Sequence, residues 1–69
     1  MNAVDAVMII ECETDPSTED YLNAWSTLIE SGQCWQLQGF YGRTATHLIE
    51  QGIISSEGII NWNEVNSRL

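Results

Sequence analysis

The stretch that decides the fold is residues 17–32, with the sequence STEDYLNAWSTLIESG. It opens with Ser17 followed by an acid three positions later, Asp20, which is the pattern of a helix N-terminal capping box. Large apolar side chains then recur at helical spacing: Tyr21, Leu22, Trp25, Leu28 and Ile29. The stretch closes with Gly32, a residue that readily adopts the left-handed conformation that ends helices. We therefore predict an amphipathic helix over residues 18–31.

The segment that follows, residues 33–51, carries a second helical stripe that two glycines interrupt. The stripe consists of Leu37, Tyr41, Ala45, Leu48 and Ile49. Gly39 and Gly42 would each cost about 1 kcal/mol relative to alanine inside a helix. Two interpretations stay open: the helix starts late, near Tyr41, or the glycines let another backbone approach closely. Gly52 should end this helix.

The two ends of the chain carry shorter helical patterns. Apolar residues in the segment 2–12 recur at spacings of three and four, which favours a short helix. The β-branched cluster at residues 7–10 would also suit a strand, so this alternative stays open. Near the other end, Asn61 with Glu64 resembles a second helix cap. The side chains expected on one side of the final helix are Trp62, Val65 and Leu69.

These elements together predict an all-α fold in a single small domain spanning residues 1–69. Its centre is an antiparallel helix hairpin, and shorter helices flank the hairpin. A chain of 69 residues buries only about 60% of the surface that its unfolded form exposes, so the core must be small. Hydrophobic residues still make up 43% of the chain and charged residues 17%, which is too apolar for a disordered segment.

The charge of the chain is strongly one-sided. Ten acidic residues face only Arg43 and Arg68, lysine is absent, and the formal net charge is −8. Such a surface repels the phosphates of nucleic acids and of anionic membranes, so we expect neither as a partner. A protein with a basic patch is the electrostatically natural partner. The sequence also contains no run of about 20 apolar residues that could cross a bilayer.

The start of the chain lacks the positively charged region of a signal peptide, which predicts a protein that stays inside the cell. Cys12 and Cys34 are then expected to be reduced thiols. Two cysteines could still form one disulfide bond if the chain were exported, so whether they are free stays open at this point.

His47 and the two cysteines are the residues with the most obvious chemistry. A structural zinc site needs four ligands at close spacing, and Cys12 and Cys34 lie far apart with no second histidine. Nucleophilic catalysis would need His47 beside Cys34 or a serine, together with a third orienting group. No nucleophile signature such as Gly-x-Ser-x-Gly is present. We expect no catalytic residue, no cofactor and no metal.

The aromatic residues raise the question of a partner surface. The chain contains more large rings than a small core readily hides: Trp25, Trp35, Phe40, Tyr41 and Trp62. Some of them either form an exposed apolar patch of the kind that marks partner surfaces or fill the core. Arg43 is expected to pair with an acid such as Glu30 or Asp20, and contact with an anion is its alternative role.

One run of residues carries a resemblance to known proteins. The run is WQLQGFYGR at residues 35–43, accompanied by LIESG at 28–32 and LIEQG at 48–52. This pattern resembles small uncharacterised proteins of tailed bacteriophages and covers about half of the chain. The resemblance implies a phage-encoded origin and expression in the cytoplasm of a bacterial host. It implies no activity and therefore no catalytic residues.

We predict a small acidic, non-catalytic protein–protein interaction module that acts on a host or phage protein during host takeover. The residues expected to bind the partner are Trp35, Gln38, Phe40, Tyr41, Arg43 and Trp62. One alternative is a DNA mimic, in which acidic residues between positions 11 and 20 imitate phosphates and inhibit a basic nucleic-acid-binding protein. Another is a small virion or assembly component whose aromatic side chains are buried in a homo-oligomer.

Overall fold

A computed structural model describes residues 1–12, 15–37 and 39–67 of the chain. Within these ranges the secondary structure is helical, apart from turns and one isolated bridge between Ile54 and Ile60. The helices are α1 (Ala3–Cys12), α2 (Thr18–Ser31), α3 (Gly39–Glu50) and α4 (Trp62–Ser67), and a 3₁₀ turn spans Gln33–Trp35. The all-α class predicted from the sequence is confirmed.

Helix α2 begins and ends where its sequence predicts. The Ser17 side chain accepts a hydrogen bond from the Asp20 backbone N–H at 3.1 Å, which satisfies one of the free donors of the first turn. At the other end Gly32 adopts φ +80°, and its N–H donates to the Ile29 carbonyl at 3.1 Å. Because both caps form, the predicted helix 18–31 is confirmed.

Helices α1 and α2 form the helix hairpin of the fold. The first residues of the chain lie beside Thr27, Glu30 and Ser31 near the end of α2, so the two helices run antiparallel. Asn2 caps α1 by accepting a hydrogen bond from the Asp5 N–H at 2.8 Å. The helical interpretation of residues 2–12 is therefore confirmed. The most extensive helix contact in the described chain is between α1 and α2, rather than between α2 and the segment after it.

The core is built around α2. It consists of side chains from all four helices, the 3₁₀ turn and the bridge segment: Ala6, Leu22, Ala24, Trp25, Leu28, Ile29, Cys34, Tyr41, Ala45, Leu48, Ile54 and Val65. Most of the core residues that α2 contributes belong to its predicted apolar face. Ala24 was not on the predicted face, and its burial shows that α2 is covered on more than one side.

Helix α3 begins two residues before Tyr41, which agrees only in part with the interpretation of a late start, because Gly42 lies inside the helix. It begins at Gly39, where an added Cβ would meet nothing within 4 Å. At Gly42 the nearest atoms would be the Trp35 ring at 3.8 Å and the Cys34 carbonyl at 3.9 Å, which are ordinary contacts. Leu37 lies in the bend before the helix and is exposed, so its place in the predicted stripe was wrong.

Helix α3 ends in a Schellman motif. Gly52 has φ +75°, its N–H donates to the Ile49 carbonyl at 3.0 Å, and the Ile53 N–H donates to the Leu48 carbonyl at 3.1 Å. The predicted stop at Gly52 is confirmed. The predicted Asn61 cap is also present, since its side chain accepts from the Glu64 N–H at 3.2 Å and α4 follows.

Between these two helices the chain turns back and packs one glycine against α2. Gly58 is buried, with φ +90°, and the Ser26 hydroxyl donates a hydrogen bond to its carbonyl. A Cβ placed on Gly58 would lie 2.9 Å from the Ser26 carbonyl oxygen and 2.9 Å from the Glu30 Cβ. The close backbone approach considered for Gly39 and Gly42 therefore occurs at Gly58, where only glycine fits.

Candidate functional site

Three aromatic rings pack around Trp25, the largest fully buried side chain of the core. The ring centroid of Trp25 lies 5.7 Å from that of Tyr41, and 6.3 Å from those of Tyr21 and Phe40. Phe40 and Tyr41 contact each other edge to face at 5.1 Å. Edge-to-face pairs of this kind add to the stabilisation that burial provides. The cluster thus joins α2 to the first turn of α3.

Tyr41 belongs to this core and not to the surface where the sequence analysis placed it. Only 3% of the residue is exposed, and its hydroxyl makes no hydrogen bond within the described residues. Burial, together with the nearby Glu11 carboxylate, raises the pKa of Tyr41 to about 12. Its position in the helical stripe with Ala45 and Leu48 explains the burial.

Tyr41 should make stability depend on pH in the alkaline range. Its pKa in the folded chain, about 12, lies above the ordinary value of about 10, so the folded state holds the proton more tightly. The contribution of this pKa difference to the free energy of unfolding is therefore complete below pH 10 and is lost as the pH rises through 12. We expect Tyr41→Phe to remove this loss of stability at high pH. Urea denaturation between pH 7 and 12 measures the free energy of unfolding, and the control Tyr21→Phe should still lose stability at high pH.

Three other predicted partner-binding residues have exposed side chains. The exposed fractions are 50% for Trp35, 46% for Phe40 and 41% for Trp62. The aromatic residues are therefore divided, since Trp25 and Tyr41 fill the core and these three reach the surface. Gln38, the remaining uncharged candidate, lies outside the described residues.

Trp35 and Arg43 line an open groove of about 570 Å³ along α3. The complete lining is Trp35, Gly39, Gly42, Arg43, Thr46, His47 and Glu50. Gly39 and Gly42 leave the helix surface beside Trp35 without side chains. The groove therefore has one aromatic wall, a smooth backbone floor and polar groups of both charges, a combination suited to a protruding side chain of a partner.

Among the described residues, neither Glu30 nor Asp20 forms the expected ion pair with Arg43. Arg43 is exposed and has no acidic partner in the described parts of the chain. Glu30 lies instead beside Gly58 and near the start of α1, while Asp20 lies in the first turn of α2. The guanidinium group of Arg43 is consequently available to a partner at the groove.

The groove does not bring Cys34 to His47. Cys34 is fully buried and does not line it, although His47 and Glu50 do. Burial raises the pKa of the Cys34 thiol, which disfavours the reactive thiolate. Cys12 is an exposed free thiol. Among residues 1–12, 15–37 and 39–67, no three His, Cys, Asp or Glu side chains are grouped so that they could hold a metal ion.

A second apolar surface was not singled out by the sequence analysis. The solvent-facing side of α1 presents Val4 and Met8 with exposed fractions of 68% and 53%, and Met1 extends it. The sequence does contain a signal for this surface, because only two of the ten residues of α1, Asp5 and Glu11, are charged. None of the described helices is long and apolar enough to cross a membrane.

A family model described as "Domain of unknown function (DUF7417)" matches residues 3–67. The match includes the whole of the four helices and the groove beside Trp35. No curated protein and no solved structure matches the chain significantly.

Proposed function

The chain belongs to the DUF7417 family, a domain of unknown function, and we propose that it acts as a non-catalytic protein–protein interaction module. The observation that carries the proposal is the groove of α3, where the half-exposed Trp35 faces an arginine that has no partner in the described chain. Tryptophan and arginine are the residue types most enriched among the side chains that dominate binding energy in interfaces.

Phe40 does not line the groove, but it offers a second exposed ring that is already held in place. One edge of the ring contacts Trp25 and Tyr41 in the core, while nearly half of the residue is exposed. A side chain that is ordered before binding loses little conformational entropy when a partner covers it. Phe40 is therefore suited to serve as a preorganised contact for the partner.

The proposed setting is the cytoplasm of a bacterium infected by the phage that encodes the protein. The support is the resemblance of the run at residues 35–43 to small phage proteins, and four residues of that run line the groove: Trp35, Gly39, Gly42 and Arg43. The partner is a host or phage protein. The net charge of −8 favours a partner with a basic patch around the contact.

The test is the affinity of a partner captured from host lysate for single variants of the chain. We expect Trp35→Ala to weaken binding at least about tenfold, equivalent to about 1.4 kcal/mol, because it removes the wall of the groove. The comparison variant is Trp62→Ala, the same substitution at a similarly exposed tryptophan of the predicted set that does not line the groove, and a smaller loss of affinity there would locate the contact at the groove. Equal affinities of wild type and Trp35→Ala would contradict the proposed binding surface.

A DNA mimic remains the second candidate because acidic side chains gather at one end of the α1–α2 hairpin. Glu11 near the end of α1 and Asp15, Glu19 and Asp20 at the start of α2 are all exposed. Binding through such a cluster would fall steeply as the salt concentration rises beyond about 0.15 M, because salt screens exposed charges. Salt-sensitive binding that Trp35→Ala leaves unchanged would favour this candidate.

A virion or assembly component is the third candidate, and it predicts that the exposed rings contact other copies of the chain. Light scattering would then give a multimer at both low and high salt. A monomer under both conditions would leave the interaction module as the better supported function.

A further inference from the structure

We infer that the solvent-facing side of α1 is a second docking surface, distinct from the groove of α3, and that its occupant is a basic amphipathic helix of a partner protein. The residues that line the depressions along α1 include Val4, Met8 and Met1, and none of them lines the groove. The inference therefore stands or falls separately from the function proposed for Trp35.

Helix α1 leaves part of its apolar surface uncovered. Eight of its ten residues are uncharged and mostly aliphatic; Ala6 is fully buried, and Ala3, Val7, Ile9 and Ile10 are partly buried against the core. A helix that is apolar on most of its faces is ordinarily buried on most of its faces. Helix α2 covers one side of α1, and the opposite side presents Val4 and Met8, four residues apart and thus one turn apart along the helix.

Two carboxylates border this apolar stripe. Asp5 precedes Met8 by three residues and Glu11 follows it by three, so helical geometry places them about 60° to either side of Met8. Both are exposed. The only arginine of the described chain is Arg43, which lies with His47 at the groove of α3. Glu11 also lies near the Tyr41 hydroxyl, but no arginine or histidine side chain of the described chain lies at the stripe to pair with either acid.

The charges argue against a second copy of this chain as the occupant. Two antiparallel copies of α1 packed through Met8 would bring Asp5 of one copy beside Glu11 of the other, with no cation on either helix. Like charges in contact destabilise an interface, and each copy also carries a net charge of −8.

A basic amphipathic helix has the matching pattern. Its apolar stripe would cover Val4 and Met8, while lysine or arginine on the two flanks of that stripe would pair with Asp5 and Glu11. The flexible methionine side chains adapt to varied apolar surfaces, which suits a helical partner of this kind.

The test uses a synthetic helical peptide of about 18 residues, long enough to form a helix, composed of leucine and lysine at amphipathic spacing. Met1 and Met8 are the only two methionines of the chain, and both lie on the proposed surface. Labelled methionine methyl groups therefore report binding at this surface by NMR. We expect the peptide to shift the Met8 methyl signal.

Charge reversal supplies the specificity test. We expect the double variant D5K/E11K to bind the leucine–lysine peptide at least tenfold more weakly and to gain affinity for a leucine–glutamate peptide. The matched control is E57K/N63K/N66K, which changes the net charge equally, by +4, at exposed positions in α4 and the turn before it and should change the affinity less than threefold. Circular dichroism confirms that both variants are folded.

Three outcomes would overturn the inference. The first is an unchanged Met8 methyl signal at saturating peptide, which includes the absence of binding. The second is an equal loss of affinity in the two charge variants, because binding would then depend on net charge alone. The third is a dimer in light scattering whose formation V4S/M8S abolishes, because a second copy would then be the occupant. None of these outcomes depends on Trp35.

Discussion

Gly58→Ala should lower the free energy of unfolding by about 2–4 kcal/mol, because two costs combine at this position. The first is backbone strain, since φ is +90° and residues with a Cβ rarely adopt it. The second is overlap: the new Cβ would lie 2.9 Å from the Ser26 carbonyl oxygen, which belongs to the backbone of α2 and cannot move freely. Urea denaturation measures the change.

Gly32→Ala is the matched control for this prediction. Gly32 has a similar φ of +80°, but an added Cβ would meet nothing within 4 Å. Its expected cost is therefore the strain alone, about 1–2 kcal/mol. Similar losses in the two variants would show that Gly58 does not pack tightly against α2.

Trp25→Ala should cost about 3–5 kcal/mol, the largest loss expected from a single truncation in this core. Trp25 is fully buried and contacts Tyr21, Phe40 and Tyr41, so its removal leaves a cavity where α2 meets α3. A domain of 69 residues has a total stability of roughly 3–10 kcal/mol. We therefore expect much of the variant to be unfolded at 25 °C, as measured by near-ultraviolet circular dichroism.

Two further variants separate the cavity from other effects. Trp25→Phe should cost only about 1–2 kcal/mol, because the phenyl ring refills most of the space and the Trp25 Nε1 group makes no hydrogen bond in the described structure that could be lost. Trp35→Ala should cost about 0.5 kcal/mol or less, since half of Trp35 is already exposed. A loss at Trp35 equal to that at Trp25 would contradict the placement of the core.

The helices could be predicted because their signals are local. Ser17 and Gly32 cap α2 through hydrogen bonds to residues three positions away, so the sequence within one turn contains the information. The same holds for Gly52 after α3 and Asn61 before α4. Leu37 was misplaced because the helical stripe continues through it in sequence, although α3 itself begins only at Gly39.

Contacts between distant parts of the chain could not be predicted in the same way. Gly58 looked like an ordinary turn glycine, since a residue without a side chain contributes nothing to a periodic pattern. Its contact with α2 is visible only when the chain is folded. The pairing of α1 with α2 was missed for a related reason, because the apolar pattern of α1 predicts a buried face but does not indicate which helix packs against that face.

The candidate site was predicted in part. Trp35, Phe40 and Arg43 reach the surface near one another in sequence, as expected of an interaction surface. Tyr41 was included because it belongs to the same run, yet its four-residue spacing from Ala45 indicated the core face of α3. Periodicity was therefore a better guide to Tyr41 than membership of the motif.

The contact between Ser26 and Gly58 also has a consequence for the order of folding. It joins residues 32 apart in the chain, whereas the α1–α2 hairpin is closed by the short connection at residues 13–17. Closing the longer loop costs about 1.5 kcal/mol more in chain entropy. The hairpin should therefore form first, and the turn at Gly58 should pack against α2 late in folding. We then expect Gly58→Ala to accelerate unfolding and to leave the rate of folding nearly unchanged, because the strained contact is absent from the transition state. Stopped-flow fluorescence measures both rates.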